Sequence, residues 1–75
     1  MTDNSFLDTR SLLCPLPVLK ARKRLQSMAA GDELSVLADD PAAVIDMPHF
    51  CTEQGHTLVG MSEQDGAQLY VIRKG

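Results

Sequence analysis

The chain has 75 residues, which is enough for one domain but leaves little room for a deep cofactor cavity beside its core. Hydrophobic residues make up 44% and charged residues 23% of the sequence, as is usual for soluble globular proteins. The net charge of −3 and an aromatic set of two Phe, one Tyr and no Trp argue against direct nucleic-acid binding, which uses basic faces and aromatic stacking platforms.

The first half of the chain predicts a strand, a loop and a helix. Residues 5–8 are a short strand candidate, and a loop follows it. A helix is predicted over residues 15–28, because Pro15 and Pro17 are tolerated only in the first turn and apolar residues then recur at helical spacing. These apolar residues are Val18, Leu19, Ala21, Leu25 and Met28. Gly31 is the expected signal for the end of this helix.

The second half predicts a strand, a second helix and a hairpin. Alternating apolar residues indicate a strand over residues 33–38. An Asp-Asp-Pro helix start predicts a helix over residues 41–54, with Pro48 kinking or breaking it near Asp46. Its predicted apolar face consists of Ala43, Val44, Met47, Phe50 and Cys51. Strands over residues 56–62 and 67–73 are then joined by a turn with the Asp-Gly hairpin signal.

The element order β-α-β-α-β-β predicts an α/β (α+β) two-layer sandwich. The first crossover should be right-handed and make its two strands parallel, whereas the last two strands form an antiparallel hairpin. We therefore expect a mixed four-stranded sheet with both helices on one face.

The two cysteines, Cys14 and Cys51, are too few for a disulfide framework. Residues 1–5 are polar and show no secretory pattern, and no apolar run approaches the ~20 residues of a membrane helix. We therefore expect a cytoplasmic protein with free thiols and no membrane association.

Cys14 is the most informative residue, because Pro15 and Pro17 place it at or beside the N-terminus of a helix. The positive end of a helix favours thiolate over thiol, and the thiolate is the reactive form. The loop-to-helix junction also predicts that the side chain faces outward. The alternative is a small buried hydrophobic residue, which is a common role for cysteine.

An exposed thiolate without a cavity is suited to accepting a group from one partner and passing it to another. The two histidines, His49 and His56, flank the end of the second helix, and no feature directs them toward Cys14. The spacings of Cys14, Cys51 and the histidines match no common zinc pattern. We therefore expect neither a metal nor a cofactor.

The motif Cys14-Pro15-Leu16-Pro17, the helix start at residues 38–42 and the C-terminal Ile72-Arg73-Lys74-Gly75 resemble the TusA/SirA family of small sulfur-carrier proteins. The resemblance also includes residues 46–48 and 50–52 and His56, so it extends over almost the whole chain. It implies one domain over residues 1–75 with the β-α-β-α-β-β fold. It also implies that Cys14 carries sulfur as a persulfide.

The resemblance further implies the partners. The donor would be a cysteine desulfurase or a rhodanese-like protein, and the acceptor a DsrE- or TusBCD-like protein. The sulfur would go toward 2-thiouridine in tRNA, with molybdenum-cofactor supply and sulfur oxidation as other routes. The protein would then be a monomeric component of a sulfurtransferase relay, not a stand-alone enzyme.

The chain departs from the family pattern near the thiol. A Gly is common three residues before the cysteine, where this chain has Ser11. Basic and charged residues are common where this chain has Leu13 and Leu16. The surroundings of the thiol are therefore more apolar than usual for the family.

Basic residues on the first helix are candidates for binding an acidic partner, with a solvated helix face as the alternative. Arg22 is the best of them, because it lies about two turns from Cys14 on the same side. Lys20 and Lys23, with Arg24, complete the candidate surface. Asp39 and Asp40 are interpreted as a helix cap, although Asp40 also borders the expected partner surface.

Two other functions are kept open. In a redox or regulatory interaction module, Cys51 would be a resolving thiol for Cys14, although a core position beside Phe50 and Met47 is the simpler interpretation of Cys51. In a nucleic-acid-binding domain, the basic helix would contact RNA in a salt-dependent manner.

Overall fold

The structure is a computed structural model that describes residues 4–75. Its elements follow the predicted order β-α-β-α-β-β. They are β1 Asn4–Asp8, α1 Leu16–Gln26, β2 Glu33–Ala38, α2 Ala43–Gln54, β3 Thr57–Gln64 and β4 Ala67–Arg73. Within residues 4–75, neither helix is long and apolar enough to cross a bilayer.

The four strands form one mixed sheet in the order β1-β2-β4-β3. β1 is parallel to β2, while β4 is antiparallel to both β2 and β3. The predicted mixed sheet is therefore confirmed. Because β1 and β2 are parallel, their C-terminal ends lie side by side, and the loops that follow these two strands meet at the same end of the sheet.

The core lies between both helices and one face of the sheet. Alternate residues of β2 and β4 point into it, as the period of a strand requires. The cluster consists of Ala21, Leu25, Leu34, Val36, Ala38, Ala43, Met47, Phe50, Cys51, Tyr70 and Ile72. Because residues of α1 and α2 belong to one core cluster with the inward-facing residues of β2 and β4, both helices cover one face of the sheet, as predicted.

α1 is shorter than the sequence predicts. It begins at Leu16, with Pro15 as its N-cap residue, and it ends at Gln26 instead of Met28. Gly31 does not end the helix; it lies in the turn before β2 with a φ of 92°. Leu19, predicted on the apolar stripe, is exposed.

α2 is continuous through Pro48 and starts at Ala43, so the predicted start at residue 41 and the predicted break near Asp46 are wrong. Residues 41 and 42 form a turn in which backbone N–H groups bond three residues back. Four of the five predicted apolar residues of α2 are buried, but Val44 is exposed.

The last two strands form the predicted hairpin with a tighter turn. β3 runs to Gln64, two residues further than predicted, and only Asp65 and Gly66 connect it to β4. Both connecting residues have positive φ, at 52° and 79°, which is the geometry of a type I′ turn and explains the Asp-Gly pair.

Candidate functional site

Cys14 lies in the loop between β1 and α1, directly before the N-cap residue Pro15. Its side chain is exposed, as the loop-to-helix position predicts. The Cys14–Pro15 peptide bond is cis. Pro17, in the first turn of α1, is buried. The two prolines therefore hold the thiol at the start of the helix with one ring anchored in the protein.

Three hydrogen-bonded contacts tie this loop to β2 and the segment after it. The fully buried Thr9 donates both its N–H and its hydroxyl to the carbonyl oxygen of Leu37, each at 2.7 Å. The N–H of Ser11 bonds to the two carboxylate oxygens of Asp39, at 3.0 and 3.2 Å. The N–H of Cys14 donates to Oδ2 of Asp40. The loop is thus held at three positions by β2 and by the two residues that follow it.

Asp40 connects the thiol loop to the start of α2. Its Oδ2 accepts the hydrogen bond from Cys14, and its Oδ1 accepts one from the N–H of Ala42 at 3.1 Å. The predicted helix cap is therefore wrong: Ala42 is the N-cap residue of α2, and no side chain caps the helix. Asp39 bonds to Ser11, and Asp40 bonds to the N–H of Ala42 in the turn before the helix. Asp40 also lies beside the thiol, where the sequence suggested only a bordering position.

Asp46, in the first turn of α2, is in direct contact with the thiol. The Sγ of Cys14 donates a hydrogen bond to Oδ2 of Asp46 across 2.8 Å. This hydrogen bond, followed by partial desolvation and the negative charges of Asp46 and Asp40, raises the pKa of Cys14 above its usual value. A negative neighbour disfavours the charged form of an acid.

The expectation that the helix N-terminus favours the thiolate of Cys14 is therefore wrong. The partial positive charge at the end of a helix is about half an elementary charge. Two carboxylates, Asp40 and Asp46, bond to the backbone and side chain of Cys14, and each carries a full negative charge. The resulting rise in the pKa of Cys14 favours the protonated form of the exposed thiol.

An open groove between α1 and α2 leads away from Cys14 and has a volume of about 350 Å³. Arg22 of α1 lines it, as its two-turn spacing from Cys14 predicts. His49 and Glu53 of α2 line the opposite side and form an exposed ion pair at 3.1 Å when the histidine is protonated. No sequence feature directs His49 toward Cys14, but the structure places both in one groove.

Lys20 and Lys23 lie elsewhere. With Arg24, Ser27 and Leu7 they line a second groove, also of about 350 Å³, which does not include Cys14. The predicted basic surface is thus divided between two sides of α1. Arg22 alone among these four basic residues shares the groove of the thiol.

Apolar side chains are exposed around the thiol. Leu13, immediately before Cys14, is 70% exposed, and Ile45, immediately before Asp46, is 75% exposed. Leu16 and Leu19 of α1 are also exposed. Exposed apolar residues that cluster beside a reactive group are typical of a protein-binding surface.

Cys51 is on the core side of α2 and is 2% exposed. Burial raises the pKa of its thiol. Its position matches the core interpretation, beside Met47 and Phe50. In the described part of the chain, no group of three or more His, Cys, Asp or Glu residues is placed to hold a metal ion.

Sequence reasoning missed Asp46 as a partner of Cys14. One signal was available: parallel β1 and β2 bring the loops after them together, and α2 starts in the second of these loops. A carboxylate in the first turn of α2 therefore had to lie close to the start of α1. The side-chain rotamers that bring Asp46 into contact with Cys14 could not be predicted from the sequence.

Comparison with known proteins shows the family of this chain. The family model described as sulfurtransferase TusA matches residues 5–74. The chain belongs to the TusA family. It is 44% identical over 77 residues to the sulfur carrier protein TusA of Pseudomonas entomophila, covering 99% of this chain and 96% of that protein. It is 48% identical over 71 residues to a putative sulfur carrier protein of Neisseria meningitidis serogroup A, covering 95% and 96%.

The fold of this TusA-family protein is also that of a solved relative. The crystal structure of a SirA-like protein from Desulfitobacterium hafniense superposes with a TM-score of 0.82 at 26% identity, over 95% of this chain and 97% of that chain. The predicted family and fold are therefore confirmed, and membership of the TusA family supports a sulfur-carrier role.

Proposed function

We propose that Cys14 carries sulfane sulfur as a persulfide between a donor and an acceptor protein. The donor is a cysteine desulfurase or a rhodanese-like protein, and the acceptor is a DsrE- or TusBCD-like protein. The relay operates in the cytoplasm and supplies sulfur for 2-thiouridine in tRNA. The domain works as a monomer over residues 1–75 and is one component of the relay.

The observation that carries this proposal is the exposure of Cys14 beside a groove and an apolar rim, while Cys51 is buried. A sulfur atom on an exposed thiol can be reached by two different proteins in turn. The groove with Arg22 and the exposed Leu13 supply contacts for such proteins. The relatives named as sulfur carriers support the same role.

The transfer needs neither a metal nor a redox change. The Sγ of Cys14 attacks the outer sulfur of the donor persulfide, and a new S–S bond forms. The donor S–S bond breaks, and its electron pair stays on the donor cysteine as a thiolate. The proton lost by Cys14 balances the proton gained by that thiolate. The reverse sequence delivers the sulfur to the acceptor.

Intact mass measurement tests the carrier role. The protein is incubated with a cysteine desulfurase and cysteine under non-reducing conditions. We expect a gain of one sulfur atom on the wild type and on Cys51→Ala, and none on Cys14→Ser. A Cys14→Ser variant that gains sulfur as readily as the wild type, or a wild type that gains none from several desulfurases, would contradict the proposal.

The pathway is tested in cells that lack the protein. The 2-thiouridine content of their tRNA should be low, and wild-type protein should restore it while Cys14→Ser should not. An unchanged 2-thiouridine content in such cells would assign the sulfur to another route. The burial of Cys51 gives no support to the redox-module alternative, since a resolving thiol must reach its partner.

A further inference from the structure

We propose that Asp46 is the proton acceptor of the site: it holds the thiol proton of unloaded Cys14 and receives that proton during sulfur uptake. This assignment rests on the proposed role of Cys14 as the carrier residue. It gives the site a group that the sequence does not indicate and that a simple thiol carrier does not require.

The geometry is direct. Oδ2 of Asp46 lies 2.8 Å from Sγ of Cys14, within the distance at which a base takes a proton. Asp46 is fixed on the first turn of α2, and Cys14 is fixed through its N–H to Asp40. Since both ends of the contact are held by the backbone, the pair is preorganised in the free protein.

The other charged groups near Cys14 are less suited than Asp46 to accept the thiol proton. Asp40 faces Cys14 from the segment after β2, but its two oxygens already accept N–H groups from Cys14 and Ala42. Arg22 on α1 cannot accept a proton. On α2, His49 and Glu53 line the same groove but pair with each other.

On the sheet, Tyr70 of β4 interacts through charge with Asp40 and not with Cys14. Its side chain is fully buried, and its pKa is raised by burial and by the charge of Asp40. It therefore remains a neutral phenol. Asp46, unlike Asp40, places a carboxylate oxygen within hydrogen-bond distance of the sulfur atom of Cys14.

The step is balanced. As Sγ of Cys14 forms a bond to the outer sulfur of a persulfide, its proton passes to Oδ2 of Asp46. The S–S bond of the donor breaks, and the leaving thiolate takes the proton from Asp46. The carboxylate is thereby regenerated, and no electrons are gained or lost overall. Between transfers the same contact keeps the exposed thiol protonated and slow to react with small electrophiles.

The test uses small-molecule probes, so that the measured rates do not depend on the binding of a partner protein. Asp46→Asn is compared with the wild type and with Asp65→Asn, a matched change at the exposed β3–β4 turn. Cys14 is alkylated with iodoacetamide across a pH series, and in parallel it is loaded with glutathione persulfide and followed by intact mass. Circular dichroism confirms that both variants are folded.

Two opposite changes are expected in Asp46→Asn. Alkylation at pH 7 should become about 10-fold faster, because losing the negative charge of Asp46 lowers the pKa of Cys14 and increases the thiolate fraction. Loading at pH 7 should become about 10-fold slower, because no group then returns a proton to the leaving thiolate, whereas the iodide released by alkylation needs none. The loss of this proton transfer costs about 100-fold, and the additional thiolate returns about 10-fold. Asp65→Asn should behave as the wild type in both assays.

Parallel acceleration of alkylation and loading in Asp46→Asn would overturn the proton-acceptor role, and so would no change in the pH profile of alkylation. Failure of the proposed carrier role would give a different result from failure of the proton-acceptor role. It would appear as a wild type that accepts no sulfur from a desulfurase, while the alkylation profile would still decide whether Asp46 holds the thiol proton.

Discussion

The backbone N–H of Cys14 donates a hydrogen bond to Oδ2 of Asp40, and this bond joins the loop after β1 to the loop after β2. The other oxygen of Asp40 bonds to the N–H of Ala42 at the start of α2. One carboxylate thus links the loop that carries the thiol to the turn before α2. Loading of Cys14 and stability of the fold should therefore depend on the same side chain.

Asp40→Ala should lower the free energy of unfolding by about 1–2 kcal/mol, because the N–H groups of Cys14 and Ala42 lose their carboxylate partner. Urea unfolding followed by circular dichroism measures it. Glu63→Ala, an exposed change on β3, should stay within about 0.5 kcal/mol of the wild type. Equal stability of Asp40→Ala and the wild type would show that the carboxylate does not hold the loop.

Ser11→Gly should stabilise the protein. Ser11 has a φ of 73°, in the left-handed region where a side chain costs about 1–2 kcal/mol, and the entropy cost of Gly offsets about 0.5–1 kcal/mol of the gain. We expect a net increase of about 0.5 kcal/mol in the free energy of unfolding, measured in urea.

The matched control for Ser11→Gly is Ser27→Gly. Ser27 has an ordinary φ of −92°, and its hydroxyl donates to the carbonyl oxygen of Arg24 at 2.8 Å. This variant should be less stable than the wild type. Destabilisation of both variants alike would contradict a conformational strain at Ser11.

Arg22→Glu and Lys23→Glu reverse the same charge on α1 but in different grooves. Arg22→Glu should raise the desulfurase concentration needed for half-maximal loading of Cys14 by about 10-fold, as is typical for reversing a charge at a protein interface. Lys23→Glu should change it little. Mass-monitored loading at several desulfurase concentrations measures both, and equal effects would indicate long-range attraction without a specific contact of Arg22.

Cys51→Ser should destabilise the fold without impairing sulfur loading. The side chain is packed in the core, so a hydroxyl there loses its water contacts at a cost of about 1–3 kcal/mol. The loaded fraction of Cys14 should match that of the wild type. Rapid alkylation of Cys51 in the native wild type, or a Cys14–Cys51 disulfide after mild oxidation, would instead favour the redox-module interpretation.

The stability of the protein should fall as the pH drops below about 6.5, because of His56. Burial, with the charge of Lys74, lowers the pKa of His56, and its Nδ1 accepts a hydrogen bond from the N–H of Gly75 at 3.0 Å. A group whose pKa is lower in the folded state binds more protons in the unfolded state, so stability is complete above the unfolded pKa and is lost as the pH falls through the folded one.

Thermal unfolding at pH 7.5, 6.5 and 5.5 measures this dependence. The Tm of the wild type should decrease over the series, and His56→Gln should lose part of the decrease. His49→Gln, at an exposed position, should keep it. An identical pH response in the wild type and His56→Gln would assign the decrease to other groups.

Local sequence signals predicted most of the fold. Alternating apolar residues located β2 and β4 with their correct bounds, and the Asp65-Gly66 pair located the hairpin. These signals depend on neighbours only a few residues apart, so they are readable without a structure. The break predicted at Pro48 is absent. Proline removes only one backbone N–H from α2, and the packing of Met47, Phe50 and Cys51 keeps the helix continuous.

By itself, the sequence determined that Cys14 stands exposed before a proline-initiated helix, that Arg22 lies two turns away on the same side, and that the chain resembles the TusA family. Only the tertiary structure decided the direction in which the pKa of the thiol is shifted. That property depends on Asp40 and Asp46, which are 26 and 32 residues away along the chain. The charge of a helix end is local and can be predicted, whereas carboxylates brought in by a parallel strand pair and a second helix are placed only by folding.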